Sequence, residues 1–380
     1  MLGTSPHSAA AAAAFFGHAA ASNLTAAAAI NANIAWPTST PPPSLAATAY
    51  SASAGLLVSC IAGLTAISTA IFLLTRRRER HAPTYPSTEY ALLQWRDVPS
   101  MRIDMARLVL TRHLASGSTG DVYVGTYADA PVAVKTLALT KRSAKHVQRF
   151  VDEISLLARV RGPCILHVVG AAWHPSDPAS LHAVLEYMDL GDLASFLDRT
   201  PPTAFPFDHK LHCALNLARA LAHLHSLDVL HRDLTSHNVL LDSTCGTKLA
   251  DFGVARTYVQ GQNDAMLSGG RGTYRWMAPE MLLSHEYDAS VYVFSLGVVL
   301  TELETHREPY SELTGKTNEP LDDSAVLGLV LHGHQRPTFT EACPPWFKAL
   351  AMVCMEQDPA ARPTAYDVIQ VLERHIPELI

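Results

Sequence analysis

His231-Arg232-Asp233-Leu234-Thr235-Ser236-His237-Asn238, followed at a short distance by Asp251-Phe252-Gly253, decides how this 380-residue chain is read. Apolar residues close on both sides, Leu227, Val229 and Leu230 before it and Val239-Leu240-Leu241 after it. A carboxylate, an amide and a second carboxylate bracketed in this way form a polar loop held on a rigid core. Asp233 suits a base that orients and deprotonates a hydroxyl, while Asn238 and Asp251 offer oxygen ligands suited to a hard cation such as Mg2+. Taken singly, each is equally well read as a turn-stabilising Asx side chain, a reading that does not explain their arrival in order.

Upstream, Leu211, Leu215, Ala218 and Leu221 mark a helix that leads into the loop. Before it, β-rich runs at Leu108–Thr111, Val122–Thr126 and Val132–Thr136 alternate with turns, and helical patterns dominate past Asp189. The change implies a small sheet-rich lobe followed by a larger helical lobe, an α+β architecture. Gly117 and Gly120 lie between the first two runs, where glycines let backbone amides approach a phosphate or simply make a turn. Lys135, in Val132-Ala133-Val134-Lys135, stands among apolar neighbours on a strand and needs a partner unless it lies at a solvated edge. Glu153 shares the inward side of a helical stripe formed by Phe150, Ile154 and Leu157, so an ion pair with Lys135 is expected.

With these motifs in order, residues 105–376 resemble a eukaryotic protein kinase domain, most closely the tyrosine-kinase-like group of serine/threonine kinases. Ala278-Pro279-Glu280 and Asp358-Pro359-Ala360-Ala361-Arg362-Pro363 carry the resemblance further, with Arg362 implied to pair with Glu280. It implies a bilobal fold, ATP and Mg2+ as cofactors, Asp233, Lys135 and Glu153 as catalytic residues, and Asn238 and Asp251 as metal ligands. It also implies a phosphate loop at Leu114, Ala115, Gly117 and Gly120, and a gatekeeper at Leu185. Glu186-Tyr187-Met188 would be the hinge that holds adenine, and Val122, Ala133 and Leu240 would sandwich the ring. Gly272-Thr273 is similar to the serine/threonine pattern and Trp276-Met277 to the tyrosine pattern, so protein substrates bearing Ser or Thr are expected. Thr257, Ser268 and Thr273 are the hydroxyls in the activation segment, with Arg232 the residue to receive a phosphate there.

Outside this domain the composition changes. Residues 1–53 contain no Lys, Arg, Asp or Glu and are rich in Ala, Ser, Thr and Pro, so a packed core is not expected. They lack the basic region of a secretory signal; Asn23-Leu24-Thr25 fits a glycosylation sequon. Residues 54–75 hold an uncharged apolar run about 20 residues long, the length needed to cross a bilayer, followed at once by Arg76-Arg77-Arg78 and Arg80. The arginines place the N-terminus outside and the kinase domain in the cytoplasm of a single-pass protein. Gly63 suits packing against a second such helix, hence a possible homodimer. Residues 76–104 read as a linker with Pro83, Pro86 and Pro99, in which Thr84, Tyr85, Ser87 and Tyr90 are candidate phosphorylation sites. The net charge of −6 and the absence of a basic stripe exclude nucleic acid as an evident partner. The six cysteines show no metal-ligand spacing.

Three positions depart from the family pattern. Ala115 stands where a glycine is usual, and Thr235 where a lysine contacts the transferred phosphate. Tyr292 replaces an aspartate that accepts hydrogen bonds from the catalytic loop, within an all-apolar core helix, Val291–Leu300. A tyrosine hydroxyl partly substitutes at best, and restoring Asp at this position is expected to raise kcat or thermal stability. The chain is therefore read as a membrane-anchored kinase, with a pseudokinase acting as a binding scaffold as the alternative.

Overall fold

A computed structural model describes residues 89–376 apart from 118–119, 245, 258–272, 284–286, 316–317 and 334. The expected span at 54–75, the segment before it, the sequon, Ser268 and the Thr257 side chain lie outside the described residues. Among the described residues, no helix is long and apolar enough to cross a membrane.

The N-terminal lobe is an antiparallel sheet of β1 (Leu108–Ser116), β2 (Gly120–Tyr127), β3 (Ala130–Leu137), β4 (Val168–His174) and β5 (Asp177–Glu186), in the order β1-β2-β3-β5-β4. Alternation on β3 explains its place, since Val132 and Val134 are buried on one face while Ala133 and Lys135 turn to the other. Helix α1 (Ala144–Arg159) packs on the sheet through Val147, Phe150, Val151, Ile154 and Leu157, all buried. The Phe150–Ile154–Leu157 stripe thus faces inward as its spacing requires.

The C-terminal lobe is helical. It contains α2 (Leu193–Arg199), α3 (Phe207–Ser226), α4 (Ser290–Thr305), α5 (Asp323–Gly333), α6 (Pro345–Cys354) and α7 (Ala365–Glu373), with a short three-stranded sheet of β6 (Gly191–Asp192), β7 (Val239–Asp242) and β8 (Gly246–Leu249). Helix α4 is buried from Val291 to Glu304, and α2, α3, α6 and the Tyr274–Trp276 turn pack around it. A helix without a polar face must be enclosed on every side, so α4 becomes the axis of the lobe. Arg362, with a fully buried side chain, grips Glu280 through two bonds, Nη1–Oε1 at 2.5 Å and Nη2–Oε2 at 2.9 Å. Four cysteines, Cys164, Cys213, Cys343 and Cys354, are buried free thiols.

One boundary moves. Residues 89–104 were expected to belong to the linker, yet Tyr90 and Val98 are buried and Trp95 packs against the core of the sheet lobe. The prolines and polar residues around these few apolar side chains mask them in a compositional reading.

Candidate active site

The cleft between the sheet and the helical lobe collects the residues singled out by sequence. Lys135 on β3 is brought opposite α1 by the strand's alternation, and its Nζ lies 2.6 Å from Glu153 Oε1 and 3.2 Å from Asp251 Oδ1. Burial alone would depress the lysine ammonium, but the two carboxylates overcome it and hold its pKa above the ordinary value. Glu153 is itself raised by burial, against the attraction of Lys135. Burial also pushes on Asp251, yet Lys135 and the Gly253 amide bring its carboxyl below the ordinary range. The Asp251 side chain remains 46% exposed to the cleft, so a charged carboxylate faces the place a nucleotide would occupy.

The loop itself is tied down residue by residue. His231 is fully enclosed and neutral, its pKa lowered by burial; its Nε2 donates to the Ala250 carbonyl at 2.9 Å and its ring meets Phe252 edge-on at 4.8 Å. Arg232 and Asp251 both adopt positive φ, at 68° and 56°, a conformation that non-glycine residues hold only where surrounding contacts impose it. Asn238 Nδ2 donates to the Asp233 carbonyl at 2.7 Å and to Asp233 Oδ2 at 2.9 Å. These two donations fix the amide, leaving Asn238 Oδ1 as an oxygen for a hard cation beside the Asp251 carboxylate; the donor set fits Mg2+. Burial raises the Asp233 carboxyl above its ordinary value, with the Asn238 bond opposing.

The adenine-side residues gather around the same cleft. Ala133 pairs in register with Leu185, and Val122 with Lys135; Leu185 and Met188 are buried, while Val122, Ala133 and Leu240 are half-buried. Leu114 and Ala115 are exposed at the end of β1. The Glu186 side chain points elsewhere: Lys248 Nζ binds both of its oxygens at 2.7 Å, and the His167 amide donates to Oε1 at 2.6 Å. The Glu186 amide donates to the His167 carbonyl at 3.0 Å. Gly120 is required by the sheet itself, because a Cβ there would lie 1.7 Å from the Thr136 carbonyl oxygen. Gly117 has more room, with the nearest contact of a Cβ at 3.6 Å.

The departures acquire a geometry. Tyr292 is 2% exposed; its hydroxyl makes no hydrogen bond of full geometry among the described residues, but it lies against the Arg232 backbone, which opposes the effect of burial on the phenol. It fills space under the loop with a contact to the loop backbone weaker than the bonds of an aspartate. Thr235 is buried with Oγ1 unpartnered, and a cavity of about 20 Å³ lies between it, Arg232, Met277 and Tyr292. A different acid supports the loop. Glu302 on α4 accepts from Ser236 Oγ and from Trp276 Nε1, each at 2.6 Å, linking the catalytic loop to the end of the activation segment. Burial pushes its pKa up to about 8, against the pull of those two bonds. Nothing local in the sequence marks Glu302; an acid inside an otherwise apolar helix is the one available signal.

A profile described as protein tyrosine and serine/threonine kinase matches residues 108–372. The serine/threonine-protein kinase STY17 of Arabidopsis thaliana is 34% identical over 277 residues, which cover 73% of this chain and 46% of that protein. The serine/threonine/tyrosine-protein kinase HT1 of the same plant is 33% identical over 276 residues, 72% of this chain and 67% of that protein. The probable serine/threonine-protein kinase drkA of Dictyostelium discoideum is 29% identical over 339 residues, 89% of this chain and 50% of that protein. The matches therefore span about half to two thirds of these relatives' lengths. Together with the geometry of the cleft, they show that the chain belongs to the protein tyrosine and serine/threonine kinase family.

Proposed function

We propose that the chain transfers a phosphoryl group from ATP to serine and threonine hydroxyls of proteins, at a membrane surface. The observation that carries the transfer reading is the position of Lys135 between Glu153 and Asp251, at 2.6 and 3.2 Å. Bound in the cleft, ATP with Mg2+ would supply the phosphoryl group and offset its negative charge. Lys135 is then a fixed cation that orients phosphate oxygens, and Glu153 keeps it extended toward them. Asn238 Oδ1 and Asp251 are the oxygens for the metal. Asp233, held by Asn238 at 2.9 Å, accepts the proton of the attacking hydroxyl at its carboxylate. Burial raises its pKa, which makes it a stronger base than an exposed aspartate and moves the acid limb of the pH profile upward.

The serine/threonine preference rests on Gly272-Thr273 and on the similarity to the serine/threonine-protein kinase STY17. Phosphoamino-acid analysis of the products tests it; phosphotyrosine as the main product would overturn it. The membrane reading rests on the uncharged run at 54–75 and the arginines after it. Alkaline extraction of membranes holding the full chain tests it, and release of the chain into the supernatant would refute anchoring. A scaffold without catalysis is the second reading, favoured by the hydroxyls of Thr235 and Tyr292, neither of which makes a hydrogen bond of full geometry under the loop. Phosphate transfer to protein by the full chain, abolished in Asp233→Asn, separates the two.

A further inference from the structure

Helix α1 carries Glu153, so the reach of Glu153 to Lys135 depends on where the whole helix sits. Its inner side is fixed by the apolar stripe. Its other side meets residues 89–98, and the contacts are spread along the helix. At the start of α1 the Ser143 side chain makes no cap and the first turn has no acid. The Ala144 amide donates instead to Glu89 Oε1 at 3.0 Å. A carboxylate at that position satisfies an otherwise orphaned amide and opposes the positive end of the helix dipole. One turn further, Gln148 accepts from the Gln94 amide at 2.8 Å and donates to the Gln94 carbonyl at 3.0 Å. A further turn on, Asp152 accepts from Arg96 Nε at 2.7 Å and from Gln148 Nε2 at 3.0 Å. Positions 144, 148 and 152 follow one line on the helix, and Asp152 immediately precedes Glu153.

The strand of chain that makes these contacts is itself fastened. Tyr90 is buried with its hydroxyl donating to the Arg142 carbonyl, Val98 is fully buried, and the Trp95 ring stacks on Trp173 of β4 at 4.9 Å. The Arg96–Asp152 pair is half exposed and contributes little alone. The two-way bond between Gln148 and the Gln94 backbone and the Glu89 cap are the stronger fasteners.

We propose that residues 89–98 brace α1, and that Glu89, Gln94 and Gln148 are positioning residues that hold Glu153 against Lys135. The kinetic part rests on the phosphotransfer reading above; the structural part does not. In the full chain, Gln148→Met removes both bonds to Gln94, and Glu89→Gln keeps an acceptor for Ala144 while removing the charge. Gln148→Met is expected to speed amide exchange across 144–159 about tenfold, leave exchange in α4 unchanged, and weaken binding of a non-hydrolysable ATP analogue. It is expected to lower kcat about tenfold with the KM for a serine peptide unchanged, and to have no further effect in a Glu153→Gln background. Glu89→Gln should show a smaller loss in the same directions. Unaltered exchange in 144–159 would overturn the brace. Faster exchange with unaltered analogue binding, or an equal loss with and without Glu153, would overturn positioning. Exchange and analogue binding are read without turnover, so a catalytically silent chain tests the brace equally and refutes only the transfer reading.

Discussion

Replacing Tyr292 by phenylalanine removes one hydroxyl and little else, which makes it the sharpest probe of how the catalytic loop is mounted. The ring is among the largest fully buried side chains, and the hydroxyl, set against the Arg232 backbone, makes no hydrogen bond of full geometry among the described residues. A buried hydroxyl without a bond costs about 1–3 kcal/mol by comparison with an apolar group. Loss of the oxygen's van der Waals contacts offsets part of that, so Tyr292→Phe is expected to gain about 1 kcal/mol. For a domain of this size such a gain moves Tm up by about 2–4 °C. Calorimetry of the full chain measures it, with kcat unchanged as the second readout. A hydroxyl bonded to the loop backbone would instead make the substitution cost about 1 kcal/mol. A fall in both Tm and kcat would therefore refute the packing argument and make Tyr292 a true substitute for an aspartate. Tyr292→Asp, expected from sequence to help, should instead lower stability. Truncating a buried aromatic costs about 3–5 kcal/mol, more than one charge-assisted bond of about 1.5–3 kcal/mol returns.

Glu302 gives a pH signature. Its carboxyl, normally near 4.5, titrates at about 8 in the fold, so between those values the folded chain holds a proton that the unfolded chain has released. Stability contributed by this group therefore falls as pH rises through the window, by on the order of 2 kcal/mol between pH 6 and 8. Glu302→Gln keeps an acceptor for Trp276 and a donor for Ser236 and should flatten that slope; an unchanged slope in urea titrations at several pH values would refute the assignment. Lys135→Met leaves Glu153 and Asp251 facing each other without a cation, so the loss of stability should be larger at pH 8 than at pH 5.5, because burial already raises Glu153 and the lysine that opposes that rise is gone. Equal losses at both pH values would mean that the lysine does not hold these carboxylates.

The catalytic loop was legible in sequence because its chemistry is local. Asp233 and Asn238 lie within one turn of chain, and the bond between their side chains is what six residues can specify alone. The Lys135–Glu153 pair was legible through two periodicities, strand alternation and the Phe150–Ile154–Leu157 stripe, which aim both side chains at one cleft. Glu302 was not, because its two donors, Ser236 and Trp276, meet it only when α4 becomes the axis of the lobe. The brace escaped for a related reason: Gln148 binds a backbone, and a backbone leaves no residue-type signal. Gly120 was read as a phosphate-loop or turn glycine, and the sheet's crowding at the Thr136 carbonyl adds a demand for glycine that the sequence does not show. Tyr292 was marked as a departure, yet only packing shows that it fills the space under the loop with no hydrogen bond of full geometry across it.

Transfer of labelled phosphate from ATP with Mg2+ to a protein substrate, by the full chain and by Asp233→Asn side by side, is the most direct test of the proposed chemistry. A positioned base contributes about 10²–10⁴-fold, so the unaltered chain should exceed the variant by at least about a hundredfold. Equal transfer by the two would contradict the role of Asp233, and with it the reading of the loop at 231–238 as a phosphoryl-transfer site.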